Sequence, residues 1–473
     1  MIGGGLAGLA ASVALAESGH RVRLLEKRPF LGGRATSYVL PDGEHVDNCQ
    51  HVTMGCCTNL EDFYRRAGSA NKIRFYGRIE FVDPQGRRGV MQSSFLPPPF
   101  HLALSFARFS PLSLADRLSI GRAMLAILFG RGHTADMNEP GGISMLEWLR
   151  RRGQTSGAIE RFWRVVLVSA LDEELDRTDA RYGVQVFWKA FLANRTGYRM
   201  GVPAVPLAEL YDGCKAAVER KGGEVLLRAA VRGLRFEAGR VAALRLDDGR
   251  EESADSYVLA VPHAALPALL PEEFLKGEPS LAGIAHLSDS PITGVHFWFD
   301  RTVMTGEFLT VLDSTTQWIF NKTALYGKEG ASASGGGQYL QIVISASYGL
   351  LDKSRQEIVD LILREVRQVL PAARDAVLVK STVIKETAAT FSPAPGCDRW
   401  RPKQATSVPG LFLAGDWTAT GWPATMEGAV RSGYLAAEAV LRAEGVEGSA
   451  ARFLQPDLPD GGVFALWKGK QRP

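Results

Sequence analysis

The chain has 473 residues, which at roughly 150 residues per domain suggests about three units. Hydrophobic residues make up 46% and charged residues 22% of it, an ordinary globular balance that excludes a disordered, collagen-like or disulfide-stapled chain. The net charge of +4 does not mark a nucleic-acid binder.

The first thirty residues read as strand, glycine turn, helix and strand. Gly3-x-Gly5-x-x-Gly8 supplies the turn, and Leu6, Leu9, Ala10 and Val13 recur at helical spacing. Gly3 allows a tight turn, Gly5 lets the backbone approach a pyrophosphate, and Gly8 lets helix and strand pack closely. The helix start, with Leu6 and Ala7, offers free N–H groups and the positive end of its dipole. Arg21 to Glu26 reads as the next strand, and Glu26 stands where a ribose-binding carboxylate belongs. Only Met1 and Ile2 precede Gly3, whereas a first strand of about five residues is expected. The expectation is that the start is assigned late and a few apolar residues belong upstream.

Leu31-Gly32-Gly33-Arg34 follows, two glycines that admit a pyrophosphate from the other side and an arginine to neutralise it. Val46-Asp47-Asn48-Cys49-Gln50-His51-Val52 comes next. Residues 95–200 are helical and rich in Leu, Phe, Trp and Arg. Two later helical faces are carried by Leu207, Leu210, Tyr211, Cys214 and Val218, and by Ile358, Leu361, Ile362, Val366 and Val369. Strand signals fall at 231–247, 256–261, 291–300, 316–320 and 338–345, and Val231 is placed to offer backbone groups to an adenine. The Gly/Ser-rich segment from Gly327 to Gly337 reads as a hairpin loop.

Near the C-terminus, Gly410 to Ala414 is a buried strand that delivers Gly415-Asp416 to a second helix containing Met426, Glu427 and Ala429. Asp416 is placed to hold a ribityl chain, and the helix dipole to face a ring that gains negative charge on reduction. The five cysteines contain no C-x-x-C pair, so neither a zinc site nor a disulfide framework is readable, and a reducing compartment fits. No secretory signal and no run of 18 apolar residues is present.

These segments, in this order, resemble the flavin amine oxidase and carotenoid desaturase superfamily. The Asp47–His51 segment, Gly201 to Leu207 and Thr420 to Gly428 resemble the hydroxysqualene dehydroxylases, the squalene-associated FAD-dependent desaturases. Cys49 departs from that family's glycine. The resemblance implies an α/β fold: a Rossmann-like FAD-binding domain assembled from 1–60, 205–290 and 400–445, and a discontinuous α+β substrate domain, a mixed sheet plus helical cap, from 61–204 and 291–399. A tail spans 446–473.

It also implies FAD as cofactor, a long-chain isoprenoid substrate, and reductive removal of an allylic hydroxyl on the way to hopanoid-type isoprenoids. His51, Asp47 and Gln50 are then the catalytic candidates, with His51 preferred as the acid because it titrates near neutrality. Trp188, Trp298 and Trp422 are candidates for a cation-stabilising wall. Electrons are expected from a diffusible reductant such as NADPH or from a redox partner, since only one G-x-G-x-x-G exists. Condensing enzymes of the same pathway are possible partners, and no nucleic acid is expected. Residues 95–130, apolar and flanked by Arg108, Arg117 and Arg122, suggest a cytoplasmic protein resting on the inner face of the membrane.

Thr425 in place of a ring-caging aromatic, no lysine on the strand Pro291 to Asp300 and no visible acidic cluster count against an amine oxidase. Two alternatives stand beside the main reading. One is a carotenoid-type desaturase that oxidises a polyene and passes electrons to a quinone. The other is a non-enzymatic isoprenoid carrier, against which Gly32-Gly33-Arg34 and Gly415-Asp416 argue.

Overall fold

The computed structural model describes residues 1–139, 141–278, 281–327, 337–446, 448 and 452–468. The expected hairpin loop between Gly327 and Gly337 lies almost wholly outside the described residues.

Ile2 sits between two parallel strand pairs. It bridges Leu25 on one side and Leu259 on the other. Arg23–Glu26 pairs with Glu224–Leu227, and Tyr257–Leu259 pairs with Leu411–Leu413, all in parallel. The result is one parallel layer with Ile2 at its centre. The helix Leu6–Glu17 crosses from Ile2 to Arg23 and is buried at every position except Glu17. A helix apolar all round must be covered on both sides. Here it lies against the parallel layer and the helix Met426–Ala443. The close approach is made by Gly433, where a Cβ would collide with the Ala7 carbonyl oxygen and come within 2.9 Å of Ala10 Cβ. The face Leu207, Leu210, Tyr211, Cys214 and Val218 is buried against the same layer, carried by a 3₁₀ turn and the short helix Asp212–Glu219.

A second sheet has seven strands in the order Leu378–Phe391, Asp289–Phe299, Gln338–Ser345, Trp318–Asn321, Phe308–Val311, Arg78–Val82 and Arg88–Gln92. Every pairing is antiparallel except Phe308–Val311 with Arg78–Val82. The amphipathic helix Arg355–Val369, closed at its start by a Ser354–Glu357 capping box, covers one face with Ile358, Ile362 and Val366. The helical layer of residues 103–192 includes two π-helical turns, Ile159–Trp163 and Phe187–Leu192. Among the described residues no helix is long and apolar enough to cross a membrane. The expected α/β fold with a mixed sheet is what the chain forms.

The Gly433 contact gives a direct test. Gly433→Val, which overpacks the helix crossing, should cost roughly 1–3 kcal/mol or more by denaturant unfolding. Gly349→Ala, where a Cβ meets nothing within 4 Å, should be neutral or stabilise by up to about 1 kcal/mol.

Candidate functional site

A cavity of about 710 Å³ lies at the starts of the helices Leu6–Glu17 and Met426–Ala443. Gly3, Gly5, Leu6, Ala7 and Glu26 line one side, with Gly32, Gly33 and Arg34. Gly415, Asp416, Met426, Glu427 and Ala429 line the other, and Val231, Gln50 and His51 also reach the wall. Gly8 does not reach it. A Cβ there would strike the Gly3 carbonyl oxygen, so this glycine serves the close packing of turn and helix.

The polar end has the chemistry of a dinucleotide cradle. The Leu6–Glu17 helix starts at Gly5 with no side-chain cap and no acidic residue in its first turn. Its first amide N–H groups are therefore left for an anion. A Cβ on Gly5 would meet only Gly33 Cα, at 3.9 Å, so the space beside it is open. Gly33 has φ +63°, and a Cβ there would come within 2.9 Å of Gly5 Cα; the two glycine turns can approach only without side chains. Glu26 is buried and accepts from Gly4 N at 2.6 Å and Arg28 N at 2.8 Å, which fixes its carboxylate at the rim.

Two expected contacts are corrected. Arg34 is not free for a pyrophosphate: its guanidinium donates to both carboxylate oxygens of Asp416 at 2.9 Å and to the Ala389 carbonyl at 2.7 Å. The carboxylate of Glu427 is likewise taken, since it accepts from Leu60 N and Asn59 Nδ2, both at 2.8 Å, at the start of the helix Thr58–Arg66. Only its backbone is left for the cavity. The second helix is capped instead by Thr425, whose hydroxyl accepts from Gly428 N.

Asp47 is also corrected. It does not line the cavity and is 2% exposed. Its carboxylate accepts from Lys322 Nζ at 2.7 Å, Tyr326 Oη at 2.5 Å, Ser37 Oγ at 2.8 Å and Leu207 N at 3.1 Å. Burial pushes this carboxyl up, but the Lys322 ammonium and the ring of donors outweigh it and hold Asp47 below its usual value. It cannot serve as a proton donor. Lys322 also donates to Gln50 Oε1 at 2.5 Å, so the pair anchors the Asn48–His51 segment from behind. His51 reaches the cavity with Nδ1 against the Cys49 carbonyl at 2.8 Å. Burial lowers its pKa and keeps the ring neutral, which makes it a poor acid. Of the three tryptophans, Trp422 alone lines the cavity. Trp188 packs on Phe464, and Trp298 stacks on Tyr339.

Sequence reasoning missed four residues. Lys322 follows a buried strand and carried no periodic signal. Trp318 lines the apolar wall. Asp172 and Glu386 place two further carboxyls on the cavity wall, beyond the acidic residues expected there. Nothing local in the sequence points them inward.

Away from the glycine turns the cavity becomes apolar, walled by Ile79, Ile292, Trp318, Phe320 and Val343. Phe81, Met91, Val165, Val166 and Phe191 are shared with a second cavity of about 540 Å³. That cavity is bounded by the segment Pro99–Phe109 and the helix Leu114–Phe129. Of its lining residues Phe100, Leu118 and Leu125 are exposed, and in the flanking sequence Phe95 and Phe129 are exposed by 81% and 84%.

The Asp47–Lys322 pair predicts a stability pattern. Asp47→Ala leaves a buried ammonium uncompensated and should cost about 3–5 kcal/mol, whereas Asp47→Leu combined with Lys322→Met should recover most of it. Because the folded pKa of Asp47 is depressed, its contribution is present above the ordinary carboxylate range and is lost as pH falls through the depressed value. Denaturant unfolding at several pH values checks both statements.

Comparison with known proteins fits this geometry. A zeta-carotene desaturase of Synechocystis sp. is 28% identical over 471 residues, covering 93% of this chain and 96% of that protein. A 15-cis-phytoene desaturase of Solanum lycopersicum is 25% identical, covering 93% and 77%. An oxidoreductase from Methanosarcina mazei superposes with a TM-score of 0.70 at 19% identity over 93% of this chain and 99% of that one. Cyclohexylamine oxidase from Brevibacterium oxydans gives 0.65 at 18% over 94% and 98%. The relatives named as carotenoid desaturases overturn the dehydroxylation expected above. Residues 6–441 match the flavin containing amine oxidoreductases; the chain belongs to that family, and its cofactor is FAD.

Proposed function

We propose that this chain is an FAD-dependent desaturase that dehydrogenates a long-chain isoprenoid polyene. The observation that carries the reading is a single cavity that is a dinucleotide cradle at one end and an apolar chamber at the other. The relatives named for zeta-carotene and phytoene desaturation support it over nearly the whole chain.

The open amides at Gly5, Leu6 and Ala7 receive the pyrophosphate, Glu26 the ribose, and the backbone at Val231 the adenine end. The Arg34–Asp416 pair would flank the ribityl chain, and the start of Met426–Ala443 and the Gln50–His51 segment would border the ring. Bound there, FAD supplies a two-electron acceptor. The protein's part is to seat a polyene in the apolar chamber against Trp318, Phe320 and Ile292, and to keep water away from the reacting carbons. His51 is held neutral and touches the ring's surroundings without donating a proton. The electrons leave to an acceptor partner.

A polyene of this kind dissolves in lipid. The exposed Phe95, Leu114, Leu118 and Phe129, with Arg108, Arg117 and Arg122 nearby in sequence, form a surface suited to a bilayer interface beside the second cavity.

Two measurements test the reading. FAD-loaded protein mixed without oxygen with phytoene or zeta-carotene in liposomes should lose its yellow colour while a longer polyene absorption grows. An aliphatic diamine should cause no bleaching. Bleaching by the diamine and not by either polyene rejects the proposal. In flotation, wild-type protein should rise with liposomes, and Phe95→Ser combined with Leu118→Ser and Phe129→Ser should not; equal flotation removes the membrane contact.

A further inference from the structure

Asp172 ends the helix Arg164–Leu171 in the left-handed region, with φ 53° and ψ 36°. Left-handed backbone is costly for a residue with a Cβ, and persists where the surroundings over-determine it. Here they do. One carboxylate oxygen of Asp172 accepts from Ala346 N at 2.8 Å, and Ala346 is itself left-handed at φ 50°. The other accepts from Thr390 Oγ1 at 2.9 Å, and the Asp172 carbonyl accepts from Ser290 Oγ. Two donors thus orient the carboxyl and a third holds its backbone carbonyl; the side chain is 5% exposed and lines the cavity.

Among the described residues this carboxylate has hydrogen-bond donors but forms no ion pair. The Arg34 guanidinium acts on it only through space, since its Nη2 donates to both Asp416 oxygens and its Nη1 to the Ala389 carbonyl. The neighbouring Glu173 is held by Tyr348 Oη, Ser392 Oγ and Arg177. Cys49, also on the cavity wall, has its thiol pushed up by burial. Glu386 lies on the same strand as Thr390 and accepts from Asn48 Nδ2 at 3.3 Å. Asn48 Oδ1 is buried without a partner. A proton is the natural neutraliser of a group in such a place. Burial pushes Asp172 well above the usual carboxylate range, and the donors from Ala346 and Thr390 only partly oppose this. A carboxyl moved toward neutrality is a stronger base than an ordinary one. His51 is the rival acceptor, but burial already disfavours its cation.

We infer that Asp172 is the proton acceptor for desaturation. Once a hydride has left one substrate carbon for the flavin, the C–H bond on the adjacent carbon breaks, its electron pair becomes the new C=C bond, and its proton goes to an Asp172 carboxylate oxygen. The flavin is reduced, the substrate is oxidised by two electrons, and the proton passes to solvent as product leaves. This rests on the desaturase reading above.

The test uses FAD-loaded protein. Infrared difference spectra recorded across pH without substrate should show a carboxylic-acid band that titrates, and Asp172→Asn should remove it. Asparagine tolerates the left-handed region, so the backbone is preserved. In single turnovers with polyene, Asp172→Asn should keep a full complement of flavin and slow bleaching by about a hundredfold or more. Thr390→Val, which removes one donor to the ionised form, should move both the infrared titration and the alkaline activation of bleaching to higher pH. The inference is overturned if the band survives in Asp172→Asn, or if that variant bleaches within about threefold of wild type at every pH. Failure of wild-type protein to bleach with any polyene instead removes the desaturase reading, and the inference with it.

Discussion

The site's shape depends on one ion pair. Arg34 and Asp416 are 382 positions apart and meet through one guanidinium nitrogen, Nη2, which lies 2.9 Å from both carboxylate oxygens. Arg34 belongs to the loop after the first crossover, and Asp416 to the turn ahead of the last helix. With Nη1 held by the Ala389 carbonyl, the guanidinium ties the loop that carries Arg34 to the turn ahead of the last helix and to the seven-stranded sheet. A second guanidinium secures the far partner. Arg401 is buried and donates to the Asp416, Thr418 and Trp422 carbonyls at 2.7 to 2.9 Å. The loop from Asp416 to Trp422 has no ladder of its own. Its carbonyls are gathered on a side chain that stays charged, which is the strong form of hydrogen bond to a buried acceptor.

The same logic explains what the sequence could show. The glycine turns, Glu26 and the two flanking helices were legible because their signals are local: turn geometry, helical period and a fixed spacing after a strand. The direction of Gly5 and Gly33 toward each other follows from needing no Cβ at a close approach. What was not legible depends on partners far along the chain. Asp47 reads as a candidate acid until Lys322, 275 positions away, is seen to neutralise it. Arg34 reads as an anion receptor until Asp416 claims it. Asp172 carries no sequence signal at all, and its setting comes from the Asp289–Phe299 and Leu378–Phe391 strands and Ala346 packed around it.

The substrate was misread for a related reason. The Asp47–His51 segment is a positioning element: its aspartate is a buried counter-ion, and its histidine is neutral. Residues that hold a strand under a flavin are shared by enzymes with different substrates, since fold and function are separable. The apolar wall is built from distant segments: Trp318, Phe320 and Val343 come from the seven-stranded sheet and Val165, Val166 and Phe191 from the helical layer. Such a wall has no spacing rule.

The two ends of the cavity impose opposite demands, and the fold meets them by separating layers. The parallel layer supplies helix starts and charge, which favour an anion. The seven-stranded sheet and the helical layer supply apolar area, which favours a hydrocarbon. The acidic groups Asp172 and Glu386 lie on the segments where these surfaces meet. A carboxyl deep in the apolar chamber would lack donors; one among the phosphate-binding amides would compete with the cofactor for them. At the boundary a carboxyl keeps its hydrogen bonds and loses most of its water, as Asp172 does. That is the place where desolvation tunes an acid without removing what orients it.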